Sequence, residues 1–367
     1  MIVTHLGLSN VRNYASLELD LSPGLNVFVG ANAQGKSNLL EAIALLGTGK
    51  SFRTTREAEI VTAGLPLASV VGEARIKAGS VRLACTIALG AGGTRKRYTV
   101  NGQGVRYASY LGTLRVVSFI PAHLQLVTGP PSLRRSLVNV ALAQESSAYY
   151  AALAAYGKYL TQKSALLRGL VAPDEALLAT YNARLIETGT QVILARRAFV
   201  VELAERARAA YHAWVGDADG ALEVAYASNV PIEAATRDAV ESAFAARLDT
   251  LRGAELQRKT ALVGPHRDDL ELRLGARPLA AFASQGQQRS AVLALKVAEY
   301  ETLEVYAGEA PILLLDDVLS ELDAERRQAF LHGVASAEQA FVTTTGDVDA
   351  AAAARYRVIA GRVEAIA

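Results

Sequence analysis

Residues Gly30-Ala31-Asn32-Ala33-Gln34-Gly35-Lys36-Ser37 spell a complete phosphate-binding loop, and no other feature constrains the chain as tightly. An apolar run, Gly24-Leu25-Asn26-Val27-Phe28-Val29, precedes it and reads as a buried strand. Asn38-Leu39-Leu40-Glu41-Ala42-Ile43-Ala44-Leu45-Leu46 follows, with apolar residues at helical spacing. Strand, Gly-rich turn and helix is the setting in which this pattern carries chemistry. Gly30 and Gly35 let the backbone turn tightly, so that loop N–H groups and the positive end of the helix meet a phosphate together. Lys36 supplies a point charge for the β- and γ-phosphates, and the Ser37 hydroxyl is a ligand for Mg²⁺. The expected nucleotide-contacting set is therefore Gly30, Ala31, Asn32, Ala33, Gln34, Gly35, Lys36, Ser37 and Asn38, with Lys36 also catalytic. Such a chain binds a nucleoside triphosphate.

The other half of the site is expected far downstream. Pro311-Ile312-Leu313-Leu314-Leu315 is an apolar strand that ends in two carboxylates, Asp316 and Asp317. Ligands of open α/β sheets sit at the C-terminal ends of such strands. Asp316 is the expected Mg²⁺ ligand beside Ser37, and Asp317 the catalytic residue that orients or deprotonates the attacking water. The plainer alternative is that both acids cap the next helix.

The 367 residues exceed what one compact core needs, and the middle differs from both ends. From Ser132 to about Gly216, Tyr149, Leu153, Tyr156, Leu160 and Leu167 recur at helical steps, as do Leu178, Tyr181, Leu185, Val192, Phe199 and Leu203. Ala172-Pro173-Asp174 reads as the turn between two antiparallel helices, with Asp174 as N-cap. A further helix is expected from Pro231 to about Leu251. Segments 70–76, 81–87, 96–100 and 269–274 alternate as half-buried strands, and Asn101-Gly102 signals a hairpin. The expectation is an α/β head built from the two ends of the chain, residues 1–125 and 256–367, with a helical subdomain, 126–255, inserted between them.

Composition narrows less. A single cysteine, Cys85, makes no internal disulfide and fits a reducing cytoplasm. No apolar run is long enough to span a bilayer, and Met1-Ile2-Val3-Thr4-His5 lacks the charged start of a signal peptide, so no membrane association is expected. A net charge of +2 neither demands nor excludes a nucleic-acid partner.

Ala283-Ser284-Gln285-Gly286-Gln287-Gln288-Arg289 precedes a helix expected from Ser290 to about Tyr300, and Leu319-Ser320-Glu321-Leu322-Asp323 follows the acidic strand. In this order they resemble the signature motif and D-loop of ATP-binding-cassette (ABC) ATPases, in particular the Rad50-like and chromosome-maintenance heads. The resemblance narrows to the RecF family through Asn10-Val11-Arg12-Asn13-Tyr14, Gly49-Lys50-Ser51-Phe52-Arg53-Thr54, Gly129-Pro130-Pro131-Ser132-Leu133-Arg134-Arg135, Gly264-Pro265-His266-Arg267-Asp268-Asp269 and the acidic strand with its sequel. It covers the chain from Leu6 to Thr345. It implies an ABC-type head with an inserted α-helical subdomain, acting as a slow DNA-dependent ATPase of recombinational repair. Two ATP-bound subunits would sandwich two nucleotides, with Ser284, Gln285, Gly286 and Gln287 of each against the ATP of the other. The closed homodimer would hold single- and double-stranded DNA at junctions without regard to sequence. RecO and RecR would be its protein partners and RecA the eventual beneficiary. Arg12 would approach the nucleotide phosphates.

Some positions depart from the pattern. Many cassette ATPases carry Glu where this chain has Asp317, and no switch histidine stands in Phe341-Val342-Thr343-Thr344-Thr345, where a Thr hydroxyl is the substitute. Ala122 and His123 replace acids that usually follow Pro121, and Gln125 is a candidate for positioning water. Arg134 and Arg135 stand near a helix N-terminus, where the dipole disfavours cations, so a carboxylate or a DNA phosphate must compensate. His266 reads as part of a structural turn or a dimer contact. A transporter subunit, a nuclease and a non-enzymatic scaffold are the competing functions. The helical insert and missing switch histidine oppose the first, the lack of an acidic nuclease module the second, and intact Lys36, Ser37 and Asp316 the third.

Overall fold

The computed structural model describes residues 1–169, 173–216, 220–318, 337–346 and 353–366. The stretch Leu319–Asp323 and residue Ala172 of the expected inter-helix turn lie outside the described residues. Two units divide the chain: Met1–Leu124 with Glu299–Ala367, and Gln125–Ala298.

The first unit carries two sheets. One is antiparallel, from β1 (Ile2–Val11), β2 (Tyr14–Asp20), β4 (Leu67–Ile76), β5 (Gly79–Gly90), β6 (Gly93–Val100) and β7 (Gln103–Val105), in the order β2-β1-β4-β5-β6-β7. The segments expected as strands at 70–76, 81–87 and 96–100 lie within β4, β5 and β6. Asn101 and Gly102 close the β6–β7 hairpin with φ of 50° and 79°, the left-handed pair that a two-residue turn requires.

The second sheet holds β3 (Gly24–Val29), β8 (Val116–Phe119), β12 (Ile312–Asp316), β13 (Gln339–Thr344), β14 (Ala354–Ile359) and β15 (Arg362–Ile366), ordered β15-β14-β3-β13-β12-β8. All neighbours pair in parallel except β14 with β15. Buried parallel strands need apolar side chains on both faces, and all five residues of β12 are buried. Helix α1 (Lys36–Thr48) packs against strands of both sheets. Its Leu39, Leu40, Ile43, Leu45 and Leu46 are fully buried, which explains why its sequence is apolar nearly all round. Each such side chain contributes on the order of 2 kcal/mol by leaving water.

The second unit is mainly helical. After two one-turn helices, α2 (Tyr107–Tyr110) in the first unit and α3 (Gln125–Thr128) here, come α4 (Pro131–Glu145), α5 (Ser147–Leu167) and α6 (Glu175–Val215). Ser146 and Asp174 cap α5 and α6 by accepting the N–H groups of Tyr149 and Leu177, at 3.1 and 2.9 Å. Most of the expected seam is buried: Tyr149, Tyr156 and Leu167 on α5 and Leu178, Leu185, Val192, Phe199 and Leu203 on α6, whereas Leu153, Leu160 and Tyr181 are half-buried.

Three expectations need correction. The helix foreseen from Pro231 is α7 (Arg237–Arg258), because Thr236 is the residue whose side chain caps it, accepting the N–H of Ala239. A domain boundary at 255/256 would cut α7, and the second unit instead runs to Ala298. It does so because β10 (Asp269–Leu274) pairs antiparallel with β9 (Leu222–Ala227), a strand the sequence reading missed, and with β11 (Arg277–Pro278). After the one-turn α8 (Leu279–Phe282), the helix expected at Ser290 begins earlier, as α9 (Gln285–Ala307).

The Gly264–Asp269 turn organises this unit. Asp268 is fully buried and accepts from the Arg196 guanidinium at 3.1 Å, the Asn229 N–H at 2.8 Å and the Tyr226 hydroxyl. Arg134 is answered by a carboxylate: its Nε and Nη2 donate to the two oxygens of Asp269 at 2.7 and 2.8 Å. Arg135 donates to the Asp268 carbonyl at 2.6 Å. His266 Nδ1 and the Tyr156 hydroxyl are 2.6 Å apart, and burial pushes the imidazole pKa down to about 4.

That depression has a consequence for acid stability. The unfolded chain binds a proton at His266 near pH 6.5 and the folded chain only near 4, so stability is whole above about 6.5 and falls as pH drops through that window. By pH 5 the loss is on the order of 2 kcal/mol. Denaturant titrations of wild type and His266→Gln at pH 7.5 and 5 should show the smaller pH loss in the variant. Equal losses would place His266 outside the acid response.

Candidate nucleotide site

The parallel register sets the site. Thr344 pairs with Val29 and Thr343 with Asp316, so β3, β13 and β12 end side by side and the phosphate loop leaves β3 at that edge. The loop is shaped by its glycines. Gly35 has φ 117°, and a Cβ there would lie 2.6 Å from Asn13 Nδ2 and 2.9 Å from the Tyr14 hydroxyl. A Cβ on Gly30 would collide with the Val358 carbonyl. Helix α1 starts after Gly35 with no side-chain cap, which leaves its N-terminus suited to an anion.

Neighbouring turns brace the loop. Tyr14 donates its hydroxyl to the Gly35 carbonyl at 3.0 Å, and burial raises the phenol pKa well above its usual value. The Gln34 carbonyl accepts from Asn13 Nδ2 and the Gly361 N–H, both at 3.0 Å, and its side-chain oxygen from the Ala360 N–H at 2.8 Å. Ala31, Asn32 and Ala33 are exposed at the loop's tip.

Lys36 Nζ donates to the carbonyls of Gly30 and Ala31 at 2.6 and 2.9 Å. Burial lowers its pKa, and Asp317 and Asp316 oppose that shift. Ser37 Oγ donates to Asp316 Oδ1 at 2.7 Å. Thr343 Oγ1 donates to the same oxygen at 2.8 Å and accepts the Asp317 N–H at 2.9 Å. Asp316 is buried and Asp317 half-buried, with φ 52°. Hydroxyl and carboxylate oxygens at the foot of a phosphate loop are the hard donors that Mg²⁺ takes alongside nucleotide phosphates. The donor set fits that ion, with Ser37 and Asp316 as its holders.

The structure gathers Arg12, Gly30 through Asn38, Asp316 and Asp317 on one unit. Arg12, with φ 54° in the β1–β2 turn, gives its Nε and Nη2 donors to Glu41 at 2.8 and 2.7 Å and Nη1 to the Glu59 carbonyl at 2.7 Å. Ser284, Gln285, Gly286 and Gln287 lie on the other unit. Ser284 Oγ accepts the Gln287 N–H at 3.2 Å and Gln287 Oε1 accepts the Ser284 N–H at 2.8 Å, a reciprocal capping box that starts α9 at Gln285. Gln125 is exposed at the start of α3. Sequence reasoning assigned no role to Glu41, Asn13 or Tyr14. An acid within an otherwise apolar helix was the available signal for Glu41, since carboxylates are rarely buried unpaired.

Comparisons with known proteins bear on the family and the fold. The family model for the RecF/RecN/SMC N terminal domain matches residues 2–362. A DNA replication and repair protein RecF from Symbiobacterium thermophilum is 43% identical over 352 residues, covering 94% of this chain and 92% of the relative. The protein of the same description from Geobacillus thermodenitrificans is 36% identical over 375 residues and covers both chains completely. A solved structure of the recombination mediator RecF with ATP, from the RecFOR pathway, superposes with a TM-score of 0.92 at 29% identity, over 100% of this chain and 98% of that one. An Smc head bound to a winged-helix domain of ScpA aligns with a TM-score of 0.56 at 17% identity, a likeness of fold. No helix among the described residues is long and apolar enough to cross a membrane. With a phosphate loop and an acidic strand joined through Ser37 and Asp316, an ABC-type ATPase head and full-length relatives at this identity, the chain belongs to the RecF family.

Proposed function

We propose that the chain is an ATP-gated DNA-binding protein of recombinational repair, in which ATP closes a homodimer around DNA and slow, DNA-stimulated hydrolysis opens it. The observation that carries the nucleotide half is the Ser37–Asp316–Thr343 cluster beside an intact phosphate loop. Lys36, held now by two loop carbonyls, turns to the β- and γ-phosphates when ATP is bound. Ser37 and Asp316 would hold Mg²⁺, which would supply charge neutralisation to the phosphates. Asp317 orients the attacking water, and Thr343 fixes the Asp316 carboxylate and the Asp317 main chain by its two hydrogen bonds. Arg12, bonded here to Glu41 and the Glu59 carbonyl, is assigned to the phosphates by kinship.

The DNA half rests on kinship. The relatives described as DNA replication and repair proteins, and the solved mediator of the RecFOR pathway, support DNA as ligand and RecO and RecR as partners, with RecA loading, fork maintenance and the SOS response downstream. A net charge of only +2 gives no diffuse attraction for a polyanion, so the DNA surface is local and assembled with the dimer.

Three experiments test the reading. Lys36→Met removes the charge on the phosphates, and should abolish tight ATP binding with little change in melting temperature without nucleotide. Normal ATP affinity in that variant rejects the phosphate-loop assignment.

For the trans arrangement, Ser284→Arg should bind ATP as a monomer yet fail to dimerise in sedimentation. The substitution also removes an N-cap worth about 1 kcal/mol, so its fold must be checked by melting. A mixture with Asp317→Asn, which should bind ATP and stall, reports on which subunit supplies the serine. Full ATP-dependent dimers of Ser284→Arg would reject the sandwich.

For gating, DNA affinity is measured against protein concentration with ATP and with ADP across a salt series. Binding should be cooperative, require ATP and Mg²⁺, weaken with salt and show little base preference. Equal, non-cooperative binding with both nucleotides would end the clamp reading.

A further inference from the structure

Glu41 is a carboxylate with no exposed surface, on the helix that begins at Lys36, and it draws three polar side chains to itself. Arg12 spans its two oxygens with Nε and Nη2. The Ser51 hydroxyl donates to Oε1, and Arg53 lies 4.0 Å from Oε2. Ser51 in turn accepts the N–H groups of Arg53 and Thr54 at 2.9 and 3.0 Å, which pins the turn that carries Arg53. The Arg53 Nη1 that faces Glu41 also donates to the Asn38 carboxamide oxygen, and the Asn38 amide donates to Asn13 at 2.7 Å. Asn38 adjoins Ser37, and Asn13 holds the Gln34 carbonyl of the phosphate loop. Both guanidinium groups are thus tied, through one acid, to the rim of the nucleotide site.

Burying a carboxylate for stability alone is a poor choice, because a well-packed apolar side chain of similar volume is often neutral or better. What the acid achieves is geometry and sign. One negative and two positive charges leave the cluster at +1, the polarity a triphosphate requires, and Arg53 keeps 44% of its side chain in solvent. We propose that Glu41 is a positioning residue for nucleotide binding, holding Arg12 directly and Arg53 through Ser51 so that both guanidinium groups serve the phosphates of ATP. This assigns a purpose to Gly49-Lys50-Ser51-Phe52-Arg53-Thr54, a segment the sequence comparison singled out without a role. The inference rests on the nucleotide-site reading above.

The test is a double-mutant cycle on the full chain, with Mg-ATP titrated by equilibrium binding and melting recorded without nucleotide. Glu41→Gln should weaken ATP about tenfold or more in the wild-type background, the scale of one hydrogen bond to a charged group. In an Arg12→Ala/Arg53→Ala background it should cause no further loss, and Glu41→Asp should restore part of the affinity in wild type. Equal weakening in both backgrounds would mark Glu41 as structural only, and no weakening at all would equally overturn the proposal. If Glu41→Gln does not fold, Ser51→Ala serves, since it leaves the Arg12 pair intact. It should weaken ATP in wild type and not in Arg53→Ala, and additive losses would overturn the Arg53 half. Lys36→Met is the reference. Loss of ATP there with unchanged binding in Arg12→Ala and Arg53→Ala defeats this inference alone, whereas normal binding in Lys36→Met defeats the nucleotide site itself.

Discussion

Ser37 and Asp316 are 279 positions apart in the chain and 2.7 Å apart in space, and the first unit is organised to keep them there. Their meeting depends on parallel pairing of β3 and β12 with the intervening β13, so the two ends of the chain must fold into one sheet. Pairings of such sequence separation form slowly, because loop closure precedes their reward. Helix α1 offsets part of that cost: it buries its apolar residues between two sheets, fixing the Lys36 end where the strands end. A one-residue slip of β12 would carry Asp316 to the opposite face.

The second unit solves a different problem with buried charge. Arg196 and Asp268 are both almost without solvent, as are Lys163 and Glu255, whose Nζ–Oε2 distance is 2.6 Å. Burial drags the Lys163 pKa down and Glu255 pushes it back. Such pairs add little to stability as a whole, yet removing one partner costs about 3–5 kcal/mol by stranding the other. Their effect is specificity of position: Arg196 links α6 to Pro265 and Asp268 of one turn and to Asn139 of α4. The long α6 is thereby tied to the turn and to the antiparallel sheet by directional contacts that apolar packing alone does not supply.

Much of this was legible from residue order. The phosphate loop, the acidic strand, the hairpin at Asn101-Gly102 and the seam of α5 and α6 each carry a local signal with a physical cause. The failures share a cause as well. Helix starts at α7 and α9 were misplaced because a cap is one side chain, Thr236 or Ser284, among several eligible ones. Strand β9, as long as β10, was missed because its alanines, Ala225 and Ala227, carry little strand preference of their own. The boundary at 255/256 failed because nothing in residue order says that Asp268 answers Arg196. At the nucleotide site the ligating types were readable, whereas the braces were not: Tyr14, Asn13 and Glu41 act through partners whose proximity only the fold creates.

Asp317 holds a left-handed backbone, with φ 52°, immediately after the strand that presents Asp316. Among residues with side chains, Asp and Asn tolerate that region best, because a short polar group can compensate its crowding locally, and others lose roughly 1–2 kcal/mol there. The choice between the two acids at this position is therefore governed by the main chain before any chemistry is considered. Glutamate would offer a longer reach toward water but would have to sit in a conformation that penalises it. The geometry of the peptide thus selects the shorter carboxylate, so the reach of the acid at this position is set by the shape of the turn.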